Sequence, residues 1–496
     1  MLAGPFAAII SGRLRRSAID AARIQESLLL RLLTEGRKTA FGSDHGFSNV
    51  NSYKQFREAV PIREYEQFKP YIERIKLGES DVLWKGKPIY FAKSSGTTSG
   101  VKYIPITADS ISNHINTARN ALLMYIAETG NSRFVDGRMI FLSGSPELEQ
   151  SGGILTGRLS GIINHHVPGY LRANQLPSFA TNCIEDWEQK VDRVVEETLN
   201  QDMTLISGIP PWVQMYFERL IQRSGKKTIK EIFPNLSLLV YGGVNFEPYR
   251  SKLFNSIGER IDSIETYPAS EGFFAFQSSQ KEEGLLLNVD SGIFFEFIPA
   301  EEIDKDQPTR LQLKEVEMGV NYALVVSSNA GLWAYSVGDM VKFLSVSPYR
   351  LVVTGRTKHF ISAFGEHVIG EEVEGALMKV ANEEKLEIVE FTVAPQVNPQ
   401  EGELPYHEWL IEFSVPPSDF EAFRRKVDDE LRRKNIYYDD LITGNILQPL
   451  KITRMQQDAF RNYMKSVGKL GGQNKVPRLS NDRKLAEELQ QWIAHS

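Results

Sequence analysis

A single cysteine, Cys183, is all that the chain carries in 496 residues. An internal disulfide and any zinc cluster built on cysteine are therefore excluded, which suits a reducing compartment. Cys183 itself reads most simply as a small core residue. Also missing is any stretch approaching the roughly 20 uninterrupted apolar residues of a membrane-spanning helix, so no membrane partner is expected. The stretch MLAGPFAAIISGRLRR has a short apolar run, but its positive charge follows the run and no clean cleavage site is seen; a cytoplasmic address is the expectation. Blocks of one charge sign are lacking too. The formal net charge of -6 comes from interspersed signs, leaving no basic stripe for nucleic acid and no acidic tail for a basic partner. Repeats and low-complexity segments are absent, and nothing in the sequence indicates an oligomeric state. No G-x-x-x-x-G-K-[ST] match exists either, which disfavours a P-loop kinase.

What is present is a chain with 42% hydrophobic residues, long enough for a large core and more than one domain. Residues 15–40 have the apolar spacing of a helix, through Ile24, Leu28, Leu32 and Leu33. From about residue 85 short strand-like runs, PIYFAKSS, GRMIFLSG, DMTLISGIP, LSLLVYGG and SIETYPASE, alternate with helical patterns at 109–128, 183–200 and 210–224. That alternation predicts a parallel, helix-covered α/β sheet, whose ligands gather at the carboxyl ends of the strands. From about 286 the texture becomes strand-rich, as expected of an antiparallel sheet or distorted β-barrel. A third texture begins near 356, with strands at 387–395 and 406–414 and helices at 417–434, near 455–466 and at 481–494. The expectation is thus an α/β protein with a large N-terminal domain, 1–355, and a small α+β C-terminal domain, 356–496.

Three segments carry candidate chemistry. Ser94-Ser95-Gly96-Thr97-Thr98-Ser99-Gly100 follows a strand and precedes Lys102. Glycines let backbone approach a ligand closely, hydroxyls add donors, and together they suit phosphate oxygens; an ordinary turn between two strands is the plain alternative. TYPASEGFFAF places Tyr267, Ser270 and Glu271 at a strand end. A carboxylate beside small residues there can hold Mg²⁺ without crowding a nucleotide, although an exposed loop carboxylate would look the same. In GLWAYSVGDMVKF, Asp339 follows Gly338 in an apolar strand context. A buried carboxylate wants donors, which either the vicinal hydroxyls of a ribose or a salt bridge could supply.

In this order, and followed by GRTKHF, the segments resemble the adenylate-forming superfamily of acyl-CoA synthetases, luciferase and peptide-synthetase adenylation domains. Within it, the chain is most similar to the GH3 acyl acid amido synthetases. The resemblance implies that Ser94, Ser95, Gly96, Thr97 and Thr98 face the phosphates of ATP, that Gly242, Gly243 and Val244 border the adenine, and that Tyr267 stacks near it beside Ser270. It further implies that Glu271 holds Mg²⁺, that Asp339 binds the ribose with Arg356 close by, and that Lys358 is the pivot of a mobile C-terminal domain. GGQNKVPR nominates Lys475 as the catalytic lysine at the acyl carboxylate and α-phosphate, with Lys469 as a rival. Two departures stand out. Pro268 replaces the small residue and Ser336 the arginine of plant members, which puts the plant substrate range in doubt. The chain is also shorter than those members, pointing to a bacterial-type relative.

The implied reaction joins a small carboxylic acid to an amino acid. Attack of the carboxylate on the α-phosphate makes AMP the leaving group and releases pyrophosphate, and the amine then displaces AMP. Transfer to CoA is the competing reading, but the tail carries Lys475-Val476-Pro477-Arg478 rather than the Thr-Gly-Lys of many CoA ligases. A non-catalytic nucleotide or acid binder is a third. Tyr125, on the apolar face of 111–125, and Trp212 are pocket candidates, although such a face is more often core. His165-His166 lacks a third ligand at helical spacing, and HEWL at 407–410 lacks the second histidine of a zinc protease.

Overall fold

The computed structural model describes residues 3–95, 101–167, 169–184, 186–243, 246–303, 305–357, 360–361, 363–366, 368–400, 402–467 and 476–494. Two compact units divide the chain: Met1–Glu185, Asp192–Gly243 and Lys252–Thr357 make the first, and Asp186–Val191, Val244–Ser251 and Lys358–Ser496 the second.

In chain order the strands of the first unit begin with β1 (Tyr90–Ser95), β2 (Val101–Ile106), β3 (Arg138–Phe141), β4 (Glu149–Ser151), β5 (Ile154–Arg158) and β6 (Gln175–Leu176). They continue with β7 (Met203–Gly208), β8 (Leu238–Gly242), β9 (Asp262–Ala269), β10 (Gly272–Phe276) and β11 (Leu285–Leu287). The last are β12 (Ile293–Pro299), β13 (Leu311–Gln312), β14 (Asn321–Ser328), β15 (Tyr335–Val346) and β16 (Tyr349–Arg356). Twelve of them form one sheet in the order β13-β12-β14-β15-β16-β11-β10-β9-β8-β7-β3-β6. From β6 to β9 the neighbours are parallel, as the strand–helix alternation predicts. The crossover from β7 to β8 includes the helix Pro210–Ser224, which opens on two prolines and stops at Gly225 with φ 69°. Proline costs little where the first N–H groups have no partner, and glycine accepts the left-handed turn that ends a helix.

Beyond β9 every pairing is antiparallel. Laid flat at about 4.8 Å per step, β9 and β15 would stand roughly 19 Å apart. Instead the Tyr267 hydroxyl of β9 donates to Asp339 of β15 at 2.6 Å, and the rings of Phe274 in β10 and Phe295 in β12 lie 6.1 Å apart. This half therefore curls on itself as the expected distorted barrel. Its interior is aromatic and aliphatic: Phe274, Phe295, Phe297, Leu324 and Phe343 are fully buried, each contributing about 1.5–3 kcal/mol by leaving water.

PIYFAKSS departs from the expected grouping with the parallel strands. Its strand, β1, belongs to a separate four-stranded sheet, β2-β1-β5-β4. An apolar run announces a strand but not its partner, and here the chain returns through residues 96–100 to pair β2 against β1 as a hairpin.

The second unit contains β17 (Phe360–Ile361), β18 (Val368–Ile369), β19 (Ile388–Gln396), β20 (Tyr406–Phe413) and β21 (Lys451–Arg454). The sheet β19-β20-β21 stands with helices Gly370–Glu383, Phe420–Lys434, Ile436–Thr443 and Ala459–Ser466. The helix expected at 481–494 is reduced to Lys484–Glu488 and a single 3-10 turn at Gln490–Trp492. Extended pairing takes over afterwards, since Gln456 and Ala494 donate their N–H groups to Trp492 and Arg454 carbonyls.

Candidate functional site

Strand β8 ends in glycine for steric reasons. A Cβ on Gly242 would lie 2.3 Å from the Thr266 carbonyl oxygen and 2.6 Å from its hydroxyl, so only glycine lets β8 close onto β9. Gly243 then takes φ 84°, a conformation that a β-carbon disfavours. Thr266 Oγ1 donates to the Tyr241 carbonyl at 2.9 Å and ties the two strand ends together. The result is a stretch of bare backbone at the carboxyl edge of the sheet; Val244 lies outside the described residues. Trp212 is half-buried in the first turn of the helix that leaves β7.

Tyr267 and Asp339 come from separate motifs and meet. Both are buried, at 8% and 7% exposure, and the phenol donates to the carboxylate at 2.6 Å. The Tyr267 ring meets Phe274 edge-on, 5.1 Å between centroids. Asp339 follows Gly338 with φ 86° and stands opposite Arg356 in the β15–β16 ladder. The Thr357 N–H donates to the Gly338 carbonyl at 2.8 Å, holding the strand end before Lys358. A carboxylate offers about four acceptor positions, and the phenol fills one of them.

Ser270 and Glu271 form the turn between β9 and β10, with Ala269 paired to Gly272 on either side. Both are half-buried. The turn is braced by a residue that sequence reasoning missed. Asn113, in the first turn of the helix Ile111–Thr129, accepts the Phe273 N–H at 2.7 Å and donates to its carbonyl at 3.3 Å. An asparagine near a helix start reads as a cap, and its partner lies 160 residues on. Pro268 also finds its reason here. It stands past Gly242↔Thr266, the last pairing of β8 with β9, so β8 requires no N–H there, and Phe273 opposite it in β10 gives its own N–H and carbonyl to Asn113.

The Ser/Thr/Gly run is the connection of the β1–β2 hairpin. Ser94 pairs with Lys102 and Ser95 with Val101. Ser94 is half-buried, whereas Gly96, Thr97 and Thr98 lie outside the described residues. The run therefore joins two strands, as the plain reading of a turn expects. Lys93 is engaged by Glu149 at 2.6 Å.

In the second unit Lys469, Lys475 and Lys358 also lie outside the described residues, but the chain on both sides of 468–475 is firmly held. Before it, Glu412 of β20 accepts the Asp458 N–H at 2.7 Å at the start of the helix Ala459–Ser466. After it, Thr392 of β19 donates to the Pro477 carbonyl at 2.7 Å, and Val393 exchanges backbone bonds with Arg478 and Ser480. Arg478 pairs with Glu390 and covers the Phe391 ring at 4.6 Å. Both stems stand on the same small sheet.

Other candidates are placed elsewhere. Tyr125 is 2% exposed, its hydroxyl donating to Asp262 at 2.7 Å and its ring 5.9 Å from Phe134. His165 and His166 face different partners, the Pro146 carbonyl at 2.7 Å and the Tyr90 hydroxyl at 3.1 Å. His407 of HEWL is fully buried against Glu366 at 2.8 Å. Cys183 is only half-buried. Among the described residues no group of three or more His, Cys, Asp or Glu side chains is placed to hold a metal ion. Glu271 would then be a single protein carboxylate, a donor set that fits Mg²⁺, which takes one or two carboxylates and completes its shell with phosphate and water. Among these residues, too, no helix is long and apolar enough to cross a membrane.

Residues 11–178, 286–356 and 371–484 match models described as the GH3 family N-terminal, central and C-terminal domains. The chain is 25% identical over 457 residues to the jasmonoyl-L-amino acid synthetase JAR4 of Nicotiana attenuata, covering 77% of this chain and 78% of that protein. It is 22% identical over an aligned length of 544 residues to the indole-3-acetic acid-amido synthetase GH3.3 of Arabidopsis thaliana, covering 92% and 89%. Among solved structures, a GH3.15 acyl acid amido synthetase superimposes with a TM-score of 0.62 at 16% identity over 98% of this chain and 96% of that one, a likeness of fold. These relatives by sequence are plant proteins and lend the bacterial-type expectation no support.

Proposed function

The chain belongs to the GH3 family, and from that premise we propose that it is an ATP-dependent, AMP-forming acyl acid amido synthetase. One observation supports this beyond the family: the hydrogen bond between Tyr267 and Asp339 joins the two motifs that should hold a nucleoside, beside the glycine edge of β8. The acid is a small carboxylate and the acceptor an amino acid, the classes on which the named relatives act.

The chemistry needs positioning and charge stabilisation more than covalent participation by the protein. Asp339 and Arg356 orient the ribose, while Tyr267 and the Gly242–Gly243 backbone border the adenine. Ser94, Ser95, Gly96, Thr97 and Thr98 cradle the phosphates with neutral donors, which bind pyrophosphate without trapping it. Glu271 would hold Mg²⁺, which when bound supplies Lewis-acid stabilisation to phosphoryl oxygens. Lys475 approaches the carboxylate and α-phosphate during adenylation. Rotation about Lys358 then withdraws it and opens the adenylate to the amine.

The test is pyrophosphate exchange with a panel of aryl and alkyl acids, followed by product analysis with pooled amino acids against CoA. Acid-dependent exchange and an amide product are expected. A thioester product would reassign the second step to CoA, and the absence of exchange with every acid tested would overturn the proposal.

A further inference from the structure

The turn that carries Glu271 has a strand neighbour on one side only. β9 pairs with β10 up to Ala269↔Gly272, whereas β11 on the other side reaches no further than Leu287 opposite Ala275. One more backbone bond, from the Asn288 N–H to the Phe274 carbonyl at 2.8 Å, ends that ladder. Phe273 lies beyond it. In an antiparallel pair a facing residue exchanges both an N–H···O and an O···H–N bond. Asn113 does both with its side chain, accepting the Phe273 N–H and donating to its carbonyl. The amide is 4% exposed and so acts shielded from water. Gly272 is confined at the same time, because a Cβ there would lie 2.4 Å from Ile293 Cδ1.

Resting on the adenylation reading above, we propose that Asn113 is a positioning residue for Glu271: its amide replaces the strand that β11 does not supply beside Phe273, and so fixes the Ser270–Glu271 turn for a divalent metal–nucleotide complex. Thr117, one helical turn on, provides the control. It accepts a bond from Asn288 Nδ2 at 2.6 Å, an equally buried tie from the same helix that does not touch the turn.

The experiment compares wild type with Asn113→Leu, Asn113→Asp and Thr117→Val. Hydrogen exchange of the ligand-free proteins reads the Phe273 amide. Electron paramagnetic resonance reads Mn²⁺ binding with a non-hydrolysable ATP analogue, and pyrophosphate exchange is titrated with Mg²⁺. Asn113→Leu should lose protection at Phe273 and weaken apparent divalent-ion affinity about 10–100-fold, the range for residues that orient metal ligands, with the KM for the acid unchanged. Asn113→Asp keeps the acceptor for the Phe273 N–H and should fall between; it carries the test if the leucine variant does not fold. Thr117→Val should lose stability without altering divalent-ion affinity. Wild-type ion affinity in Asn113→Leu, or an equal loss in Thr117→Val, would overturn the proposal. Absence of acid-dependent exchange in the wild type would instead reject the amido synthetase reading, leaving hydrogen exchange and Mn²⁺ binding to decide the role of Asn113.

Discussion

Replacing Tyr267 by phenylalanine removes one oxygen atom and keeps the ring against Phe274. The lost bond is 2.6 Å long and both partners are more than nine-tenths buried. A hydrogen bond to a charged group of this kind is worth about 1.5–3 kcal/mol. With an unfolding entropy of about 2.1 cal/mol/K per residue, 1 kcal/mol moves the midpoint of a unit of a few hundred residues by about 1–2 °C. Tyr267→Phe should therefore lower the melting temperature of the ligand-free protein by about 2–5 °C. Saturating ATP should narrow that gap, because ribose hydroxyls can donate to the carboxylate oxygen that the phenol vacates. Differential scanning calorimetry with and without ATP measures both quantities. A gap of the same size in the two conditions would refute the assignment of Asp339 as the ribose acceptor.

Gly242→Ala should cost about 1–3 kcal/mol by overpacking and raise the KM for ATP, as read by urea unfolding and pyrophosphate exchange; an unchanged KM would remove the β8 edge from the nucleotide site. Lys475→Ala should abolish acid-dependent exchange while ATP still binds, so undiminished exchange would reject that lysine. His114 is buried and its pKa is pushed down to about 4 by desolvation. The unfolded chain, titrating near 6.5, then binds the extra proton first as pH falls, so stability is complete above about 6.5 and is lost towards 4. Between pH 6.5 and 4.5 the loss should be about 2–3 kcal/mol, and His114→Leu should flatten that slope in denaturant titrations. Parallel slopes in the two proteins would contradict it.

The sequence was most informative where chemistry is local. The run of PPWVQMYFERLIQRS, with proline first and glycine after it, specified its helix to the residue. YPASEG and YSVGD were each recognisable, but their meeting was not, because Tyr267 and Asp339 are 72 positions apart and only the curl of the sheet brings them together. PIYFAKSS announced a strand without its partners, since apolar patterning records which faces are buried and not which backbone supplies the ladder. Asn113 left no signal at all. A polar residue near a helix start usually serves that helix, and here it serves a hairpin from another part of the chain. The helix foreseen at 481–494 failed for a related reason, since its second half gains more from pairing beside β21 than from continuing to wind.

The twelve-stranded sheet has a practical consequence for anyone dissecting the molecule. The family's central segment, 286–356, begins inside β11, whose next strand, β10, lies upstream. Cut out as a fragment, it would keep β16 between β15 and β11 but present β11 without β10, an open edge ready to recruit other chains. Units defined by shared ancestry in a sequence need not be units that can be purified. A cut at the end of β16, unlike one where the central segment begins, leaves the twelve-stranded sheet whole.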